Sequence, residues 1–401
     1  MRFFAVVVGA ALSACGGASS PGDPTPTTLA PAVLVLREGD PLALTGVAGP
    51  MPAQGISRAV VDADVDAGGN LWAVDATHLY LLRPSAGAVE SFDAGDGLRP
   101  DELRAVAGGL EGVAWVGHAG QGDANEDPEW MRHTGGVSKA VLSGADLDVT
   151  PYELSSPPGL YAQYPDGRYK LRTVHRVHAT RTGPRAGDAW FGCNHGLALV
   201  PASGRFVLEH HHPGSCKPDP VTGDCSLHTG DVPAVAFTPE GDVWFGGTYG
   251  VGLLAYATSL GDFWGAEPVR NLPLWSHPLK PNTHGSVDVV GLAALPDGTL
   301  WAASAHSGLA RRRPDGTVDV LDAAAGLPTN RLTDLASDAA GQLWLGTREQ
   351  GLVRLDPVGG EWRRVTGLGS RIDRVKDVTR DGGPPRLLVV TDGRVVTGGV
   401  P

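Results

Sequence analysis

Six of the ten tryptophans in this 401-residue chain stand in one recurring local context, and no other feature restricts the possible folds so severely. The copies read GGNLWAVD at Trp72, GVAWVGH at Trp115, GDAWFGC at Trp190, GDVWFGG at Trp244, GTLWAAS at Trp301 and GQLWLGT at Trp344. Each Trp comes within three residues of a turn-forming Gly, and successive spacings are 43, 75, 54, 57 and 43 residues. A period of about 40–45 residues is the length of one four-stranded propeller blade, and the longer intervals read as a blade plus inserted loops.

The fullest copy, Gly326 to Val365, exposes the logic of a unit. Four short apolar runs (RLTDLAS, QLWLGT, GLVRLD and EWRRV) are separated by turns at 338–341, 348–351 and 357–360. That is an antiparallel meander. Its runs alternate only partly, as expected where both faces of a sheet are covered by neighbouring sheets. The chain is therefore expected to be all-β: a β-propeller over residues 32–401, with seven four-stranded blades. Six carry the Trp anchors. The seventh takes three strands from the tail (374–381, 386–391 and 393–399) and its fourth from Ala32 to Gly39, so that both ends of the domain close the ring and remove its open edges. Six or eight blades stay open as alternatives, because the 75-residue interval has room for a degenerate unit.

The pattern Gly-Leu-Pro-x-Asn, Asp-x-x-Gly-x-Leu-Trp-Leu-Gly-Thr and Gly-Leu-x-Arg-Leu-Asp-Pro, running from Gly326 to Pro357, resembles the two-component-regulator propeller repeat. The resemblance implies an extracytoplasmic sensing propeller, in some members one that senses oligosaccharides. This chain departs from the family pattern: only Val400 and Pro401 follow Gly399, so a kinase is not carried over and a stand-alone binding module is.

Residues 1–14 read as a lipoprotein signal peptide, with Arg2 ahead of an apolar run that is too short to span a bilayer. The run ends in Leu12-Ser13-Ala14-Cys15, which resembles the bacterial lipobox and implies lipidation of Cys15. Residues 15–31 then form the lipidated Cys and a flexible tether rich in Gly, Ser, Thr and Pro. The expected address is the bacterial cell envelope, facing the periplasm or the outer membrane, with the membrane met through the lipid anchor only. A net charge of −12 without basic clusters, and only five Lys, argue against nucleic acid as a partner.

In a meander, the second-to-third-strand turns and the links between blades emerge at one end of the ring. Ten of the 13 histidines fall in those segments, so a His-rich rim is expected there. The candidate ligand-binding residues are His195, His228, Tyr249, Trp275 and His306, with Trp275 as a stacking platform for a sugar. The ligand class is a small molecule or glycan, with an envelope protein as the other partner. Cys193, His195, His210, His212 and His228 are the residue types that would hold zinc or copper, although their spacing matches no standard zinc motif. No cofactor is otherwise expected. Cys216 and Cys225 form the simplest disulfide for an exported chain. Asp66 aligns with Asp338 and reads as a hairpin-turn acid rather than part of a calcium loop.

An enzymatic alternative rests on GDAWFG and PEGDVWFG, which resemble repeats of virginiamycin B lyase-like propellers. That resemblance implies a His base and a divalent metal on one face. The following residues differ from that family, since Phe191 and Phe245 precede Gly192-Cys193 and Gly246-Gly247 rather than Thr-Glu. No catalytic residue is assigned.

Overall fold

The computed structural model describes residues 34–401 except 52–58, 85–87, 121–133, 145, 153–172, 195, 203–206, 210–230, 239–240, 248–249, 255–269, 273–287, 381–382 and 401. The described residues belong to one compact unit, Leu34–Pro401. They are all-β apart from three single-turn 3-10 helices.

Hydrogen-bonded pairing divides the strands into seven sheets among the described residues. Six are made from continuous stretches of chain. Blade 1 opens with Asp62–Val65, blade 2 with Leu103–Gly108, blade 3 with Val174–Ala179, blade 4 with Ala234–Phe237, blade 5 with Val289–Ala294 and blade 6 with Leu332–Ser337. The seventh sheet is composite: Ile372–Asp377, Arg386–Thr391 and Arg394–Gly399 are joined by Thr45–Met51 from the start of the domain. These opening strands touch one another in chain order, and the last touches the first, so they surround an axis.

The closing strand is not the expected one. Residues Arg37–Glu38 and Leu42–Ala43 run parallel to Glu361–Thr366, the outer strand of blade 6, and Thr45–Met51 closes the seventh sheet antiparallel to Arg394–Gly399. Burial explains the difference. Leu36 packs into the core between blades 5 and 6, and covering the outer edge of blade 6 removes an exposed ladder before the chain reaches the last slot.

The repeated tryptophans lie on the second strand of six sheets and are 0–6% exposed. In blades 1 and 6 a turn carboxylate fixes the indole: Asp66 accepts from Trp72 Nε1 at 3.0 Å, and Asp338 accepts from Trp344 Nε1 at 2.9 Å. In three blades a cation on the third strand, paired directly opposite the Trp, lies over its ring: Lys139 over Trp115, Arg311 over Trp301 and Arg354 over Trp344. The Gly-Leu motif that begins units also has a local cause. Gly97 and Gly326 end short 3-10 turns capped by Asp93 and Asp322, at φ values of 99° and 97° that favour Gly. The following Leu98 and Leu327 turn inward and are 3% exposed.

Candidate functional site at the propeller axis

Aligning the seven opening strands by register shows what faces the axis. The residue paired with the tryptophan of the second strand, or with Leu388 in blade 7, and the residue two before it are Asp64 and Asp62 in blade 1, His178 and Arg176 in blade 3, Ala336 and Asp334 in blade 6, and Lys376 and Arg374 in blade 7. Blades 2, 4 and 5 hold only Ala or Gly there: Ala105 and Ala107, Ala234 and Ala236, Gly291 and Ala293. Small residues on three blades leave room for long side chains from the others to reach across.

Arg176 uses that room. Its Nη groups donate to Asp334 on blade 6 at 2.5 and 3.3 Å, its Nε donates to Pro233 O at 3.1 Å at the start of blade 4, and Nη2 also donates to Val290 O on blade 5 at 3.2 Å. One guanidinium therefore links four blades, in a place where its side chain is 5% exposed. Asp334 accepts in turn from the backbone N–H of Val375 on blade 7 at 3.0 Å. Asp62 accepts from Val106 N–H on blade 2 at 3.0 Å and pairs with Lys376 Nζ of blade 7 at 2.9 Å. Lys376 also donates to Val106 O at 2.9 Å, while Arg181 donates to Gly108 O at 3.2 Å and pairs with Asp64. Every blade is tied into this network. Lys376 and two arginines, Arg374 and Arg176, hold the Asp62 carboxyl below its ordinary range against the opposing effect of burial.

Cavities lie on either side of the network. The larger, about 370 Å³, is walled by the later residues of the opening strands, including Asp64, His178, Arg181, Phe237, Lys376 and Asp377. A smaller one, about 300 Å³, is lined by their beginnings, with Glu102, Arg104, His175 and Arg374. The larger cavity thus lies at the end of the ring opposite the second-to-third-strand turns. His178 contributes a neutral imidazole, because burial, helped by nearby Arg176 and Lys376, pushes its pKa down to about 3. Its ring meets Phe237 edge-on, with centroids 6.0 Å apart. Burial raises the pKa of Asp377, whose carboxylate accepts from Thr379 N–H at 2.9 Å.

The expected histidine rim is described only in part. His78, His118 and His306 all lie at the ends of second strands or just beyond them, and so at one end of the ring. His306 is partly exposed, with Nδ1 3.6 Å from Asp288 Oδ2. Of the other candidate residues, Cys193 is described, whereas Cys15, His195, His210, His212, Cys216, Cys225, His228, Tyr249 and Trp275 lie outside the described residues. Cys193 is a free, fully buried thiol in the core between blades 2 and 3; burial raises its pKa far above the usual range, and Sγ donates to Phe191 O at 3.5 Å. Among the described residues, no group of three or more His, Cys, Asp or Glu side chains is placed to hold a metal ion.

His118 serves structure. It is fully buried, with Nδ1 3.3 Å from the carbonyl of Asp101 and Nε2 2.9 Å from Ser138 Oγ. A carbonyl can only accept, so Nδ1 carries the proton and Nε2 accepts from the hydroxyl. Burial lowers its pKa to about 4. The unfolded chain, with His near 6.5, binds this proton more readily, so His118 reduces stability as pH falls from 6.5 towards 4. At pH 5 the loss is about 2 kcal/mol. Urea unfolding at pH 7 and pH 5 should therefore show a smaller difference for His118→Gln than for the parent chain.

The axial network was missed in reading the sequence. A usable signal existed in the triplets Asp62-Ala63-Asp64, Arg176-Val177-His178 and Arg374-Val375-Lys376, which place charged or polar groups where the opening strands of blades 2, 4 and 5 carry only Ala or Gly.

Comparison with known proteins agrees with this architecture. Residues 326–349 match the family model described as two component regulator propeller. The search of curated proteins finds no match. Among solved structures, virginiamycin B lyase from Staphylococcus aureus aligns at 12% identity and TM-score 0.54, covering 90% of this chain and 98% of that one. The extracellular domain of a putative hybrid two component system from B. thetaiotaomicron aligns at 16% identity and TM-score 0.55, covering 89% of this chain and 42% of that one. A structure of YCF48 bound to D1 peptide aligns at 14% identity and TM-score 0.56, covering 93% and 99%. At these identities the likeness is one of fold. Among the described residues, no helix is long and apolar enough to cross a membrane.

Proposed function

We propose that the chain is an exported recognition propeller, tethered to a bacterial envelope membrane through Cys15, that binds a small ligand at its axis. The observation that carries this reading is the preformed cavity of about 370 Å³, walled by polar groups that a buried ionic network holds in place. Rigid walls with few, fixed polar groups suit recognition, because little conformational entropy is lost when a ligand enters. The two-component-regulator repeat at 326–349 and the fold shared with extracellular sensor domains support the same class. A protein partner is the second reading, favoured by the peptide-bound relative of the same fold. It would engage the opposite rim, where His306 lies and where His195, His228, Tyr249 and Trp275 are proposed to sit.

The test is a thermal-shift screen of the full chain against small polar molecules and oligosaccharides. A saturable rise in Tm is expected, and it should disappear in Ala294→Trp, which fills the cavity wall. A hit unaffected by this variant would move the site away from the axis. In a bacterial host the parent chain should partition with membranes and Cys15→Ser should be released. Equal partition of both would remove the anchor.

A further inference from the structure

Two arginines of the axial network, Arg176 and Arg374, stand in opposite electrostatic situations. Burial disfavours the charge of Arg176, but Asp334 beside it, together with Asp62, more than offsets this and raises its pKa. For Arg374, burial and the nearby charge of Arg176 prevail, and its pKa is lowered in spite of Asp62, Asp334 and Asp373. The guanidinium still keeps its proton, so the fold carries here a positive charge that it compensates poorly. The cause is geometric. The one carboxylate within ion-pair reach of Arg374 among the described residues is that of Asp62, whose Oδ1 lies 3.8 Å from Nε, beyond hydrogen-bond distance. Asp62 already accepts from Lys376 Nζ, Ala63 N–H and Val106 N–H at 2.9 to 3.0 Å. Arg374 Nη1 donates to the carbonyl of Asp373 at 2.9 Å, and Nη2 makes no hydrogen bond among the described residues. The side chain is 24% exposed, and of its nitrogens only Nε is both unpartnered and shut off from solvent, so Nη2 can be reached.

Arg374 lines the smaller axial cavity, of about 300 Å³, and not the larger one. Two β-bulges deliver further side chains to the same space. The register of the opening strands slips between Leu103 and Ala105 in blade 2 and between Val174 and Arg176 in blade 3, and the extra residues, Arg104 and His175, both line the cavity. Arg104 meets Glu102 through Nη2 at 3.5 Å, with both side chains about half exposed, and its Nε and Nη1 are unengaged among the described residues. His175 turns Nε2 towards Asp231, at 3.3 Å, and forms wall rather than donor. The acid next to Arg374 in sequence, Asp373, is taken by Arg371 at 2.6 Å. The charged lining is therefore Arg374 and Arg104 against Glu102, with one positive charge in surplus, while Val61, Leu103 and Pro233 supply hydrocarbon. Planar guanidinium groups with free N–H donors suit a pair of anionic oxygens. A second negative charge on the ligand would find no further cation and would stand near Glu102 and Asp62.

We propose that the smaller axial cavity is a second binding site, one that takes a small monocarboxylate with its oxygens on Arg374 Nη2 and Arg104 and its apolar part against Val61, Leu103 and Pro233. This site is separate from the larger cavity and stands whether or not that cavity binds a ligand. Acetate and benzoate, titrated calorimetrically into the full chain in chloride-free buffer at pH 7 beside acetamide, benzamide and sulfate, test it. At least one carboxylate should bind saturably, about tenfold or more tighter than its amide and than sulfate. Arg374→Gln should weaken that carboxylate about tenfold or more while keeping a urea midpoint close to the parent's, because the charge it removes is one the fold compensates poorly. Arg104→Gln, at a half-exposed position where loss of fold is not at stake, should weaken it about three- to tenfold. Ala294→Trp, which fills the larger cavity, should leave it unchanged, so the two sites fail or survive separately. The assignment would be overturned by the absence of saturable carboxylate binding, by amides or sulfate that bind as tightly, by binding that survives both arginine variants, or by binding lost in Ala294→Trp.

Discussion

Arg176→Met should lower the unfolding free energy by about 3–5 kcal/mol in urea titration at pH 7, because Asp334 then keeps its charge in a buried place without a cation beside it. Methionine preserves much of the aliphatic volume, so the loss reports the ionic partner rather than a cavity. The double variant Arg176→Met/Asp334→Leu should recover a large part of the deficit, since a buried pair replaced by hydrocarbon is often neutral. Added salt should change little, as the pair is shielded from solvent. A single-variant loss below about 1 kcal/mol would show that the blades hold their ring without this guanidinium. The effect is expected to be global, because the donors of Arg176 reach blades 4, 5 and 6 from blade 3.

Asp66→Ala should cost about 3 kcal/mol, the second large effect. The Asp66 side chain accepts from Trp72 Nε1, Asn70 Nδ2, Gly112 N–H and Asn70 N–H at 2.8 to 3.0 Å, with the residue 2% exposed. Removing it leaves at least two buried donors without acceptors, at about 1–3 kcal/mol each. Asp66→Asn retains an acceptor oxygen and should lose less. The exposed turn acid Asp315, which among the described residues bonds only to Thr317, is the control: Asp315→Ala should leave the urea midpoint within error. Equal behaviour of the two alanine variants would mean that the indole clamp contributes nothing. A turn acid is thus also a tie between blades, since Gly112 belongs to the second blade and Asp66 to the first.

Much of the fold was legible because its signals are local. A Gly-bounded turn followed by an apolar strand with Trp recurs within a few residues, and both the turn geometry and the burial of the indole follow from neighbours in sequence. The equivalence of Asp66 and Asp338 was readable for the same reason, and both carboxylates hold the Trp six positions later. The closing strand was not. Ala32 to Gly39 has the right composition to close the last sheet, yet Leu36 is drawn to the core between blades 5 and 6, and Thr45–Met51 takes the slot. Hydrophobic pattern says that a segment pairs; it does not say with which of several open edges. Of the candidate site residues, His306 stands at the expected end of the ring and Cys193 is buried core, while the larger axial cavity lies at the other end.

The sequence by itself determined that the chain builds repeated four-stranded sheets around tryptophans, since each unit is specified by turns and apolar runs within about 40 residues. Only the tertiary structure decided what the centre contains. Arg176 and Asp334 are 158 residues apart, and neither has a local motif that names the other. Closing the ring brings the opening strands of every sheet to one axis. There, exclusion of water makes pairing of the charges compulsory and leaves Lys376, Arg181 and His178 facing the same space.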